Sequence, residues 1–422
     1  MIITSQKLLT LRDYKLPVNR GAVVFNRGAI IATGTAERII KKYPGHRVYH
    51  IENAVLMPGL INVHTHLELP PLLDTIRARA FPDWVMNLIQ VKKKLDMMRY
   101  TIAAKQNVRS LIRSGTTTVG EICTHGVSPG VLERSGLRAT VYHEIISMDP
   151  SSPISHFPSL VSRPSTNLVR FGLSPHAPHT VSETALLQIK KLAMRKHLRL
   201  CMHVAESKDE IRLLQRKYSR FEKLYRGVGW VTAWAPSADS PFEYLHTLGL
   251  LNDNFLAVHA VQATDKDISL IKRSRVAVAH CPRSNKETGV GKMPLRKFLD
   301  AGIVVGLGTD SLASSPSLNL WDEMRSAYRM HRSDGITVKD IFTLATAGGA
   351  KALGMFNTIG SIEAGKRADI IAVPLPKKDT GDIYSDLLRE TKSCIMSIVD
   401  GKILYHDRSA ARGSIRPPGR KP

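Results

Sequence analysis

His64 and His66 flank a single threonine just past an apolar run, Ala54–Val63. Residues two apart on a strand project to the same side, so both imidazoles can converge on one point. His203, His259 and Asp310 stand at the ends of three further apolar runs, Leu198–Val204, Phe255–Ala260 and Ile303–Leu307. A lone His-x-His pair is a weak signal in a chain with 16 histidines. Five such groups, each at the C-terminal end of a strand, make a much stronger one. Imidazole nitrogens with a carboxylate suit zinc, or another first-row divalent ion such as Fe²⁺ or Mn²⁺. The chemistry this permits is attack by an activated water. Glu206 lies three residues past His203 and can reach the same water as a proton carrier. The competing reading of Glu206 is an ordinary surface carboxylate.

The elements that must position these groups follow a rhythm. Besides the four runs above, β-branched or apolar runs occur at Thr116–Ile122, Ala139–Ile146, Leu168–Leu173 and Val276–Ala279. Segments with helical periodicity alternate with them, among them Asp83–Arg99, Ile102–Ser114, Ser182–Lys196, Asp265–Arg273, Leu318–His331 and Val338–Leu353. Ser182, Thr264 and Ser317 stand where helix caps belong. About eight strands alternating with helices predict an α/β fold, a (β/α)8 TIM-type barrel. Short strands separated by turns recur at both ends, in Gly21–His50, Gly360–Pro374 and Ile395–Leu404. They predict a small β-sandwich domain built from both termini, with residues 1–56 and 356–407 flanking a barrel over 57–355. Glu206–Asn254 is long for a barrel connection, which marks it as a lid or pocket wall.

Bulk properties narrow the class. The net charge is +24, yet the Lys and Arg residues are spread along the chain and no nucleic-acid motif interrupts them. A solvated basic surface is favoured over a nucleic-acid-associated protein with a vestigial barrel. Residues 408–422 hold five basic and no acidic residues, with three prolines, and read as a disordered basic tail. Four widely spaced cysteines contain no CxxC pair, so they are read as reduced thiols in a cytoplasmic protein. The first residues lack the apolar core of a secretory signal, and no run is long enough for a membrane helix.

The chain resembles the amidohydrolase superfamily, and within it the adenosine-type deaminases, which include methylthioadenosine/S-adenosylhomocysteine and aminodeoxyfutalosine deaminases. The resemblance runs through Met57-Pro-Gly-Leu-Ile-Asn-Val-His-Thr-His-Leu-Glu68, Ser174-Pro-His-Ala-Pro178, His203-Val-Ala-Glu206, His280-Cys-Pro-Arg-Ser-Asn285 and Gly308-Thr-Asp-Ser311. It implies that His64, His66, His203 and Asp310 bind one metal ion, that Glu206 shuttles protons and that His259 orients the attacking water. The fourth strand ends in Ser174-Pro175-His176 and offers no lysine for a bridging carbamate, which favours a mononuclear site. The substrate is then a nucleoside-like small molecule. His176 is expected to touch its base or sugar. Glu68 either binds ribose hydroxyls or supports a metal ligand. Trp84, with Asp83, either lines the pocket or backs a helix cap, and Asn285, with Ser284, either faces ligand or forms a turn. Deamination of guanine or cytosine, or removal of a halide, is the alternative within the superfamily, and self-association into a homo-oligomer is left open.

Overall fold

The computed structural model describes residues 1–12, 17–76, 78, 80–147, 165–227, 229, 237–407 and 415–416. Eight parallel strands form one sheet in chain order: Leu60–Thr65, Thr116–Cys123, Arg138–Ile145, Val169–Pro175, Arg199–Val204, Phe255–His259, Ala277–His280 and Val305–Leu307. A parallel bridge from Thr65 to Asp310 brings the two edges together and nearly closes the barrel. Helices cover the outside, so the strands are buried on both faces and read as continuous apolar runs rather than alternating ones. Ile61, Val63, Tyr142, Cys201 and Val258 pack together in one layer. Residues of opposite parity, such as Leu200, Met202 and Val278, pack with Phe298, Trp321 and other helix side chains.

The run Ala54–Val63 is two strands, not one. It divides at Gly59 into Val48–Pro58 of the small domain and the first barrel strand. A Cβ at Gly59 would lie 2.1 Å from Thr117 Oγ1, so only glycine lets the chain pass between the sheets there. The predicted helix Asp83–Arg99 also divides, into Phe81–Lys92 and Met97–Ser114. Asp96 Oδ1 accepts from Arg99 N at 2.8 Å and starts the second helix. Ser182 and Thr264 cap their helices. Asn319, not Ser317, caps Leu320–His331, accepting from Trp321 N at 3.0 Å.

Among the described residues the small domain is one mixed sheet of nine strands drawn from both ends of the chain. Ile370–Pro374 pairs antiparallel with Val48–Pro58, which joins the two halves. Arg138 of the third barrel strand donates Nε–H and Nη2–H to Asp369 at 2.7 and 3.0 Å, tying barrel to small domain. Ile415–Arg416 pairs with Val48–Pro58. The tail is therefore not wholly unpaired, as its composition predicts; the rest of residues 408–422 lies outside the described residues. All four cysteines are free and buried. No helix among the described residues is long and apolar enough to cross a membrane.

Candidate active site

The ends of the first, fifth and sixth strands and the loop after the eighth converge. Ligating atoms of His64, His203 and His259 lie within 4.8 Å of one another, as do those of His64, His66 and Asp310. Asp310 Oδ1 is 3.6 Å from His64 Nε2 and 3.4 Å from His66 Nε2. The eighth strand reaches this close because Gly308 has no side chain: a Cβ there would lie 2.9 Å from His64 Cβ. Thr309 N and Asp310 N then donate to His64 O at 3.0 and 3.1 Å. Ala205, His259 and Asp310 adopt left-handed backbone, with φ of 53°, 73° and 57°. Such residues cost of order 1–3 kcal/mol each and persist where their surroundings over-determine them. These three lie at the turns that aim the site's side chains.

Hydrogen bonds select the ring tautomers. His203 Nδ1 donates to His176 O at 2.9 Å, and His259 Nδ1 donates to Asn285 Oδ1 at 2.8 Å. Each is left with an Nε2 lone pair. His64 is fully buried, and neither of its ring nitrogens has a hydrogen-bond partner among the described residues. An orphaned buried nitrogen is costly unless something takes its lone pair, and a cation would. Burial pushes the pKa of His64 and His66 down to about 4 and that of His259 to about 3, so these rings are neutral donors at pH 7. Burial raises Asp310, but His64 and His66 outweigh it and hold the carboxyl well below its usual range. Its Oδ2 accepts from Ser284 Oγ at 2.6 Å and Ser314 Oγ at 2.7 Å. Neutral imidazoles around an ionised carboxylate fit a divalent metal ion. Glu206 Oε1 lies 3.5 Å from His259 Nε2. Burial, then the charges of Asp310 and Glu210, raise its carboxyl well above the usual range.

A cavity open to solvent stands over this cluster. Phe81, Trp84, Val85 and Leu88 line it together with Phe221, Leu224 and Tyr225. The last three come from Glu206–Asn254, whose short helices include Lys208–Leu214 and Phe221–Gly227. The segment thus supplies a pocket wall. His176 lines the cavity as well, with its Nδ1 2.9 Å from Thr180 Oγ1.

Glu68 and Asn285 are not among the residues that line this cavity. Glu68 is buried, and its carboxylate accepts from the backbone amides of Thr124, His125, Val127 and Ser128 at 3.0, 2.5, 2.8 and 2.9 Å. It clamps the loop after the second strand. Asn285 is fully buried and serves His259. Sequence reasoning missed Glu144, which ends the third strand and lines the cavity beside His176. Burial raises its carboxyl, but His176, His66 and Lys92 outweigh that and bring it down to about 2. Its place at a strand end, the criterion that picked out the histidines, was the available signal.

The model for the amidohydrolase family matches residues 55–404. A 5-methylthioadenosine/S-adenosylhomocysteine deaminase from Syntrophobacter fumaroxidans is 29% identical, covering 97% of this chain and 93% of its own. A 5′-deoxyadenosine deaminase from Methanosphaera stadtmanae is also 29% identical, covering 84% of this chain and 83% of its own. Among solved structures, the Helicobacter pylori aminofutalosine deaminase superposes with a TM-score of 0.84 at 25% identity, covering 95% of this chain and 99% of that one. The family match spans all eight barrel strands and reaches into the small sheet on both sides. With that span and the histidine–aspartate cluster at the barrel mouth, the chain belongs to the amidohydrolase family.

Proposed function

We propose that this protein hydrolytically deaminates a purine-type ring, releasing ammonia, with 6-amino-6-deoxyfutalosine or a related 5′-substituted adenosine as substrate. Methylthioadenosine and S-adenosylhomocysteine are the related candidates. The observation that carries the reading is the meeting of the histidine–aspartate cluster with Glu206 on the floor of one cavity. The names of the similar proteins support adenosine as the common part, since they differ in the 5′ substituent.

In this reading His64, His66, His203 and Asp310 hold one divalent ion, zinc by the donor set, with Fe²⁺ or Mn²⁺ as alternatives. When bound, that ion supplies Lewis acidity, which brings the pKa of water toward about 7. Glu206 takes a proton from the attacking water and gives it to the ring nitrogen beside the attacked carbon. A second proton then passes through Glu206 to the departing amine, so that ammonia leaves neutral and the ring carbon gains an oxygen. A carboxyl with a raised pKa suits this double duty. His259, locked by Asn285, and Asp310, locked by Ser284 and Ser314, hold the water on line. Trp84 and the apolar wall accept the flat base or the 5′ group, while His176 and Glu144 face sugar hydroxyls.

The test is ammonia release by purified, zinc-loaded protein from a panel of adenosine, its 5′-substituted derivatives, guanine and cytosine. Turnover of the nucleosides, abolished by chelation and restored by zinc, is expected. Turnover confined to free bases overturns the substrate class, and none on any member overturns the activity.

A further inference from the structure

Ser207 and Glu210 have the spacing of a helix capping box, in which the glutamate would accept from the Ser207 backbone amide. Half of the box is present: Ser207 Oγ accepts from Glu210 N at 3.2 Å. The other half is only partial: the Ser207 amide pulls on the Glu210 carboxylate without forming a full hydrogen bond to it. The Glu210 carboxylate reaches past Ser207 to the turn before it, where Oε1 accepts from Ala205 N at 3.0 Å and Oε2 from Glu206 N at 2.8 Å. A helix needing only a cap does not call for this arrangement.

The turn it grips is the one that carries Glu206. Ala205 is left-handed there, a conformation a non-glycine residue does not hold without support. On the other side, the carbonyls of the same segment are tied to the loop after the sixth strand: Ala260 N donates to Val204 O at 3.1 Å and Gln262 N to Ala205 O at 2.8 Å. The carbonyls are thus held by one element and the amides by Glu210. Glu210 is 1% exposed, and a carboxylate taken that far out of water is retained only where strong donors repay its desolvation. Burial brings its pKa up to about 7, against the pull of these amides.

We infer that Glu210 is a positioning residue for Glu206, fixing the backbone from which the Glu206 carboxyl reaches His259. The inference rests on the reading of Glu206 as the proton carrier. Without the clamp the Ala205 turn relaxes and the Glu206 carboxyl leaves its place. Displacement of a reacting group by an ångström costs on the order of 100-fold in rate.

The experiment compares the wild type with Glu210→Gln, Ser207→Ala, Glu206→Gln and the double variant Glu206→Gln/Glu210→Gln, each zinc-loaded. Glu210→Gln keeps the shape but points an amide donor at a backbone N–H. It is expected to lose about 10- to 100-fold in kcat, with KM within threefold and metal content unchanged. Ser207→Ala removes the cap without touching the clamp; it is expected to lower Tm and leave kcat alone. In the Glu206→Gln background the second change is expected to add no further loss. Amide hydrogen exchange reads the clamp without any substrate: Ala205 and Glu206 should be protected in the wild type and in Ser207→Ala, and open in Glu210→Gln. Fast exchange of these amides in the wild type overturns the inference even if the variant does not fold. So does an unchanged kcat in Glu210→Gln, or a loss that multiplies in the double variant. A wild type that deaminates nothing, with the exchange pattern as expected, overturns the proposed function and leaves the clamp standing.

Discussion

Replacing Glu206 by glutamine keeps the length of the side chain and part of its hydrogen bonding, but a carboxamide cannot carry a proton between steps. Glu206 is buried and its Oε1 lies 3.5 Å from His259 Nε2, so a glutamine amide placed there can still donate to that ring nitrogen. The floor of the cavity should hold its shape. Glu206 is also absent from the groups whose ligating atoms meet within 4.8 Å, so metal content should not change. What is lost is general acid–base catalysis, which contributes about 10²–10⁴-fold. At 1.36 kcal/mol per decade this is about 3–5 kcal/mol on the barrier. Substrate affinity should move far less, because the apolar wall and His176 are untouched. The assay is paired: metal analysis and single-turnover rate on the same preparation. An unimpaired rate at full metal content refutes the shuttle. Loss of metal together with rate would make Glu206 a ligand instead.

Asp310→Asn should cost at least about 100-fold in turnover while His64, His66 and His203 retain the metal, and near-normal turnover would remove Asp310 from the mechanism. Asn285→Ala frees the His259 ring and leaves its Nδ1–H without an acceptor. Losses of about 10- to 100-fold are typical when such a support is removed, and an unchanged kcat would show that Asn285 does not hold His259 in its working tautomer. Asp369→Ala leaves the buried Arg138 with Asp400, 3.5 Å away, as its carboxylate contact, besides the Asn167 carbonyl that accepts from its Nη1 at 3.1 Å. Breaking a buried pair costs about 3–5 kcal/mol, and the remaining contact puts this case at the lower end. A fall in Tm of roughly 3–4 °C is expected by thermal melting; a Tm within 1 °C of wild type would show that the domain junction does not depend on this pair.

The barrel was legible because buried parallel strands are apolar along their whole length, and eight such runs alternating with helical periodicity leave few other folds. The site's core was legible for a related reason. A barrel presents the ends of its strands at one mouth, so His64, His66, His203, His259 and Asp310 could be gathered from their places in the sequence without knowing a single distance. Glu206 followed from His203 by proximity along the chain. What lay beyond were side chains whose partners are remote in sequence. Glu68 looks like a pocket residue beside His66, yet the amides of residues 124–128 absorb it. Asn285 looks like half of a turn, yet it holds a histidine 26 residues away. Glu210 matches a helix cap by spacing, and only the fold shows its carboxylate reaching the amides of Ala205 and Glu206. Sequence patterns report burial and periodicity, which one strand or helix sets by itself. Whether a buried carboxylate meets a backbone amide, an arginine or open cavity depends on a neighbouring element, and only the packed structure brings that neighbour to it.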